Sequence, residues 1–173
     1  MPQVRVFADT NVILEAFRSQ CWTAITTHFA IETVEKCVEE TLTGDPSDPR
    51  HVAVAPAELQ TGLAARHCVT SKELAALVIS QPGCMTLDDG EKHLFAWLHA
   101  RKLLPSNVIV VTTADKAALV ASHGLGWLDS VTSLEVLARK AGVGRANLDT
   151  LASQYREDWL SSIKTKIMLG VIP

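Results

Sequence analysis

Two apolar runs in this chain end in the same way. Val4-Arg5-Val6-Phe7-Ala8 leads into Asp9, and Val108-Ile109-Val110-Val111 leads through Thr112-Thr113-Ala114 into Asp115. Each run is short, bounded and rich in β-branched residues, which predicts a buried strand. A helical pattern follows each aspartate at once. The second run has no polar alternation, so it belongs inside a sheet covered on both faces. Strands that alternate with helices along the chain predict a three-layer α/β/α fold with a central, mostly parallel sheet. In such sheets ligands gather beyond the carboxyl ends of the strands. Either aspartate alone could be an ordinary helix N-cap. Two of them at strand ends in one small domain favour a site.

The intervening segments have readable punctuation. Residues 21–27 read as a second short helix and 28–31 as a weak strand. Thr33 is placed to cap a helix with the buried stripe Val34, Cys37, Val38 and Leu42. That helix region carries Glu32, Glu35, Glu39 and Glu40. Residues 44–49 form a loop, and 52–54 a connector or small strand. Pro56 opens a helix expected to run to about Ala65. Thr70 caps another, to Ile79. Leu87-Asp88-Asp89-Gly90-Glu91 then opens a helix with Leu94, Phe95, Trp97 and Leu98 as its apolar positions, capped by Asp88 or Asp89. A helix follows Asp115, a last short strand is expected at 127–131, and a helix at 133–141. This divides the chain into a domain over 1–142 and a helical extension over 143–173. The extension would be anchored on or beside the domain by Tyr155, Trp159, Ile163, Ile167 and Met168.

Composition narrows the class. With 173 residues, 47% of them hydrophobic and 20% charged, the chain suits one globular domain. No apolar run is long enough for a bilayer, and the first residues lack a signal-peptide layout, so the expectation is a cytoplasmic protein with no membrane partner. Cys21, Cys37, Cys68 and Cys84 form no CxxC pair and are expected as reduced thiols. The histidines show no zinc spacing. Trp22, Trp97 and Trp127 sit in apolar runs and read as core. Net charge is −3, but residues 1–138 hold 10 Lys and Arg against 16 Asp and Glu, while 139–173 hold 6 against 3. An acidic metal site beside a phosphate-contacting tail and a merely solvated charged face fit this equally.

If the two strands are parallel neighbours, Asp9 and Asp115 meet at one sheet edge. Helices starting at that edge would add Glu35 and Glu91. Four converging carboxylates repel unless a cation sits among them. Hard oxygen ligands select Mg²⁺ or Mn²⁺. Such a site can activate water and neutralise charge on a phosphodiester.

Asp9-Thr10-Asn11, the Glu-bearing helix after residue 33, Leu87-Asp88-Asp89-Gly90-Glu91 before an apolar helix, and Thr113-Ala114-Asp115 together resemble the motifs of PIN-domain ribonucleases, which include the toxins of bacterial VapBC pairs. The resemblance spans about residues 4–140. It implies metal-dependent cleavage of RNA, with Asp9, Glu91 and Asp115 as the first, third and fourth acids and Mg²⁺ or Mn²⁺ as cofactor. Thr10, Asn11 and Thr113 would support them. Glu35 is taken as the second acid, with Glu39, Glu40 and Glu58 as alternates. Expected partners are RNA and, for a toxin, an antitoxin protein; a homodimer is a further expectation. Three features depart from the pattern: a Glu as third acid, the unmatched segment 44–86, and the tail. Glu15 is read as a surface residue or a support behind the ligands.

Two other classes compete. An aspartyl-phosphate phosphotransferase or phosphatase would use Asp9 as nucleophile, but Asn11 stands where a second aspartate is usual. A non-catalytic RNA-binding or regulatory module would keep the fold without chemistry. No glycine-rich phosphate loop follows the first strand, which argues against a nucleotide-binding domain.

Overall fold

The computed structural model describes residues 3–172. Strands β1 (Arg5–Ala8), β2 (Ala30–Val34), β3 (Ala65–His67), β4 (Ile109–Thr112) and β5 (Val131–Thr132) form one sheet in the order β3-β2-β1-β4-β5. Every pairing is parallel. Helices α1 (Thr10–Arg18), α2 (Trp22–His28), α3 (Glu35–Leu42), α4 (Pro56–Gly62), α5 (Ser71–Ser80), α6 (Asp89–Arg101), α7 (Lys116–Gly124), α8 (Leu134–Lys140), α9 (Arg145–Leu148) and α10 (Glu157–Met168) complete the chain. The architecture is the expected three-layer α/β/α, with a sheet that is wholly parallel.

Alternation along the strands creates the two outer layers. Val6, Ala8 and Ile31 face a core shared with α1, α2 and α8, while Phe7, Val34 and Val111 face one built from α5, α6 and α7. β4 is buried from both sides, as its unbroken apolar run requires; Val108 lies outside it and is exposed. The order in which strands are added reverses between β1 and β4, where Ala8 pairs with Thr112. This switch point opens a crevice at the carboxyl ends of the two strands. Asp9 and Asp115 leave the sheet there.

Several expectations shift. Thr33 is not a cap but a strand residue whose hydroxyl donates to the Ala8 carbonyl at 2.7 Å; Val34 occupies the cap position of α3. β2 was weak in sequence because it carries Glu32. That side chain is buried, neutralised by Arg5 through Nη2 at 3.0 Å, and in contact with His67 at 2.7 Å. Residues 52–54 form no strand, and α4 stops at Gly62, where the indole of Trp22 fills the space a side chain would need. The third strand is instead Ala65–His67, short and at the sheet edge, formed by pairing with β2.

The extension packs against the rest. Leu151 and Tyr155 enter the α1 core, and Leu160, Ile163 and Ile167 of α10 pack with Leu119 and Val131. Lys164 donates to the Val131 carbonyl at 2.7 Å, covering an acceptor on the short edge strand β5. Among the described residues, no helix is long and apolar enough to cross a membrane.

Candidate functional site

Asp9 and Asp115 are both helix caps, and the cap accounts for half of Asp9. Its Oδ1 accepts the Val12 N–H at 2.8 Å, while its Oδ2 is buried with no partner. Asp115 Oδ1 accepts the N–H groups of Ala117 and Ala118 at 2.7 and 3.1 Å. Thr113 is buried beside them: its hydroxyl accepts the Asp115 N–H at 3.3 Å and lies close enough to Asp9 to favour the charged form of that carboxyl.

Glu91 arrives from the first turn of α6. It is only 4% exposed, and its Oε1 also has no partner. Burial pushes the Glu91 carboxyl up to about 9, with the charges of Asp9, Asp115 and Asp88 adding to the effect. Asp9 is pushed up to about 6, again chiefly by burial; the nearby Thr113 hydroxyl and the Val12 N–H pull it down and Asp115 pushes it up. The charge of Asp115 acts on both Asp9 and Glu91, and that of Asp9 on Glu91, so the three acids lie together at the switch point.

Glu40 joins from α3. Its Oε2 accepts the Thr10 hydroxyl at 2.6 Å and its Oε1 accepts the Gly90 N–H at 3.0 Å. Asp88 has the backbone of an N-cap, but its side chain makes no cap bond; Glu40 supplies that acceptor from another helix. Gly90 permits the approach, because a Cβ there would overlap Glu40 Oε2 and lie 2.8 Å from Thr10 Oγ1. Thr10, Asn11, Glu40, Asp88, Asp89 and Glu91 line a cleft of about 420 Å³, and of the three acids only Glu91 lines it.

Glu35 is not part of the cluster. It is exposed, and its carboxylate lies against Cys68, whose thiol it pushes up. Glu39 pairs with Lys36 at 3.2 Å on the surface, and Glu58 lines a separate groove with Trp22 and Thr61. The α3 acid that reaches the cleft is therefore Glu40. Helix phase explains the difference: Thr41 is buried and Leu42 is 38% exposed, so the inward stripe runs through Cys37, Val38 and Thr41. Glu40, three residues after Cys37, flanks that stripe. Reading Thr41 rather than Leu42 as the inward position would have found it.

Glu15 is buried. Both its oxygens take Arg18 at 2.6 Å, and Oε1 also accepts the Ala152 N–H at 2.8 Å, so it fastens the tail to α1. His93 contacts the Asp89 carbonyl at 2.7 Å. Trp22, Trp97 and Trp127 are core residues, as expected.

Two buried, unpartnered carboxylate oxygens beside a third carboxylate suit a hard divalent cation. Among the described residues, no three His, Cys, Asp or Glu side chains close into a ready cage. Mg²⁺ needs none, since it keeps several waters and takes only one or two carboxylates.

The chain shows no significant match to protein-family models, to curated proteins or to solved structures.

Proposed function

We propose that this chain is a Mg²⁺- or Mn²⁺-dependent endoribonuclease of the PIN type. One observation carries the reading: Asp9 Oδ2 and Glu91 Oε1 are buried without partners at the sheet's switch point. Buried carboxylates lacking partners are costly, and a cation removes the cost.

Asp9, Glu91 and Asp115 would hold the ion, and Glu40 would shape the cleft by fixing the start of α6 against Thr10. When bound, the ion supplies Lewis acidity for water attack on a phosphodiester. Thr113, buried beside Asp9, would support it by favouring its charged form, and Asn11 stands exposed at the cleft for contact with the substrate. The four cysteines are free thiols, which fits a reducing cytosol where RNA is at hand. A toxin role would add an antitoxin as partner.

The test is cleavage of a mixed RNA substrate with Mg²⁺, with Mn²⁺ and with EDTA, beside Asp9→Asn and Asp115→Asn. Metal-dependent cleavage lost in both variants supports the reading. Cleavage that survives both, or none from the wild type with either metal, contradicts it.

A further inference from the structure

RNA is a polymer, so a chain held at the cleft must leave it across a rim. A second hollow lies at one rim. It holds about 360 Å³, and its lining includes Lys116, Ala117 and Val120 of α7, Gln81, Thr86 and Ile172. That volume falls within the roughly 300–1,000 Å³ of ligand pockets. The hollow adjoins the site at two points. Thr86 borders it and Leu87 borders the cleft, so one backbone segment is the ridge between them. Lys116 follows Asp115 directly, which puts their Cα atoms about 3.8 Å apart.

The two hollows differ in chemistry. The cleft is acidic, with Glu40, Asp88, Asp89 and Glu91 on its walls. The hollow beside α7 has an apolar wall in Ala117, Val120 and Ile172, and a cation at its edge in Lys116. Two other lysines beside the cleft are engaged, Lys36 with Glu39 at 3.2 Å and Lys92 with Asp89 at 3.7 Å. Lys116 is exposed and makes no ion pair among the described residues, so its ammonium is free for a phosphate. A cation there offsets the repulsion that the acids exert on RNA. Gln81 adds a polar group able to read a base. Its side chain lies across Gly124, where a Cβ would overlap the amide nitrogen, and the amide makes no hydrogen bond among the described residues. A free amide can donate to and accept from a base edge, while the apolar wall covers the face of the base.

We propose that the hollow beside α7 is the subsite for an unpaired base of the RNA next to the scissile phosphate, with Lys116 holding that nucleotide's phosphate. The proposal rests on the metal-dependent nuclease reading above. It requires the base to be splayed out of any duplex, because a stacked and paired base offers neither its face nor its edge.

The experiment follows the full chain with a short, end-labelled single-stranded RNA, binding by anisotropy in EDTA and cleavage with Mn²⁺. Lys116→Gln is expected to lower the slope of log affinity against log salt by about one, the signature of one lost phosphate contact. It should raise KM severalfold, more than it lowers kcat, and Lys116→Arg should restore both readouts. The same RNA with an abasic site at successive positions locates the base. In the wild type one position next to the cut should lose about tenfold in affinity, the scale of one base contact. Ala117→Leu fills the hollow from an exposed helix position that suits leucine, and the loss at that position should disappear. An unchanged KM and salt slope in Lys116→Gln, or an abasic profile that Ala117→Leu leaves as in the wild type, overturns the proposal while metal-dependent cleavage stands. So does a wild-type dimer in sedimentation that Ala117→Leu dissociates, which assigns the hollow to a second copy. Failure of the wild type to bind or cleave the RNA overturns the nuclease reading and the subsite with it.

Discussion

Glu40 of α3 accepts the backbone N–H of Gly90 at 3.0 Å, so the first turn of α6 is capped by a different helix. The same carboxylate takes the Thr10 hydroxyl at 2.6 Å. One side chain thus ties together the helix after Asp9 and the helix that carries Glu91. The arrangement explains why a glycine stands at 90 and why Asp88 is free to face the cleft.

Glu40→Ala leaves the Gly90 N–H and the Thr10 hydroxyl without their acceptor. The expected loss is about 1–2 kcal/mol in urea unfolding, in the range for a removed helix cap. Gly90→Ala forces its methyl into Glu40 and Thr10 and should cost ~1–3 kcal/mol. Glu35→Ala is the control. It changes an exposed residue and should fall within about 0.5 kcal/mol of wild type, with RNA cleavage unchanged. A loss of cleavage in Glu35→Ala with none in Glu40→Ala would show that the α3 acid has been assigned wrongly.

The metal-free protein should lose stability as pH rises. Asp9 and Glu91 both titrate above their ordinary range when folded, so the fold favours their neutral forms. Their contribution is complete below about pH 4, where the unfolded carboxylates are also protonated. It is lost as pH rises through about 6 for Asp9 and about 9 for Glu91. Thermal melts in EDTA across this range should show a falling midpoint. Glu91→Gln should flatten the profile and gain ~2 kcal/mol at pH 8 over wild type, on the scale of 1.4 kcal/mol per pH unit. A wild-type melt that does not change with pH would rule out the buried, uncompensated acids.

Glu15→Ala removes the shared acceptor of Arg18 and Ala152. It leaves the Ala152 N–H without its acceptor and loosens the strap of residues 149–156, while the 42% exposed Arg18 keeps its access to water, so the expected destabilisation is about 1–2 kcal/mol. Limited proteolysis should find its first new cuts between residues 149 and 156. Digestion identical to wild type would mean that the strap is held by its apolar contacts alone.

The site was legible where side-chain chemistry coincides with a chain boundary. Asp9 and Asp115 end apolar strands and cap the helices that follow, so two independent local signals agree at each. β4 was plain because both its faces are covered. β3 was not, because an Ala-Arg-His edge strand is defined by its pairing with β2 rather than by any pattern of its own. Glu40 lost to Glu35 through helix phase: nearness to the helix start favoured Glu35, but the burial of Thr41 in place of Leu42 decides which acid reaches the cleft. Glu15 gave no local sign, since the bond that gives it meaning, from the Ala152 N–H, joins residues more than 130 positions apart.

The most direct test of the central claim is Mn²⁺ titration of wild type, Asp9→Asn and Glu91→Gln in metal-free buffer, followed by calorimetry and by the thermal midpoint. If these carboxylates form a cation site, the wild type binds and its midpoint rises with Mn²⁺. Both variants then bind at least about tenfold more weakly, although they are the more stable proteins in EDTA. Equal binding by all three, or no binding by the wild type, would contradict the site.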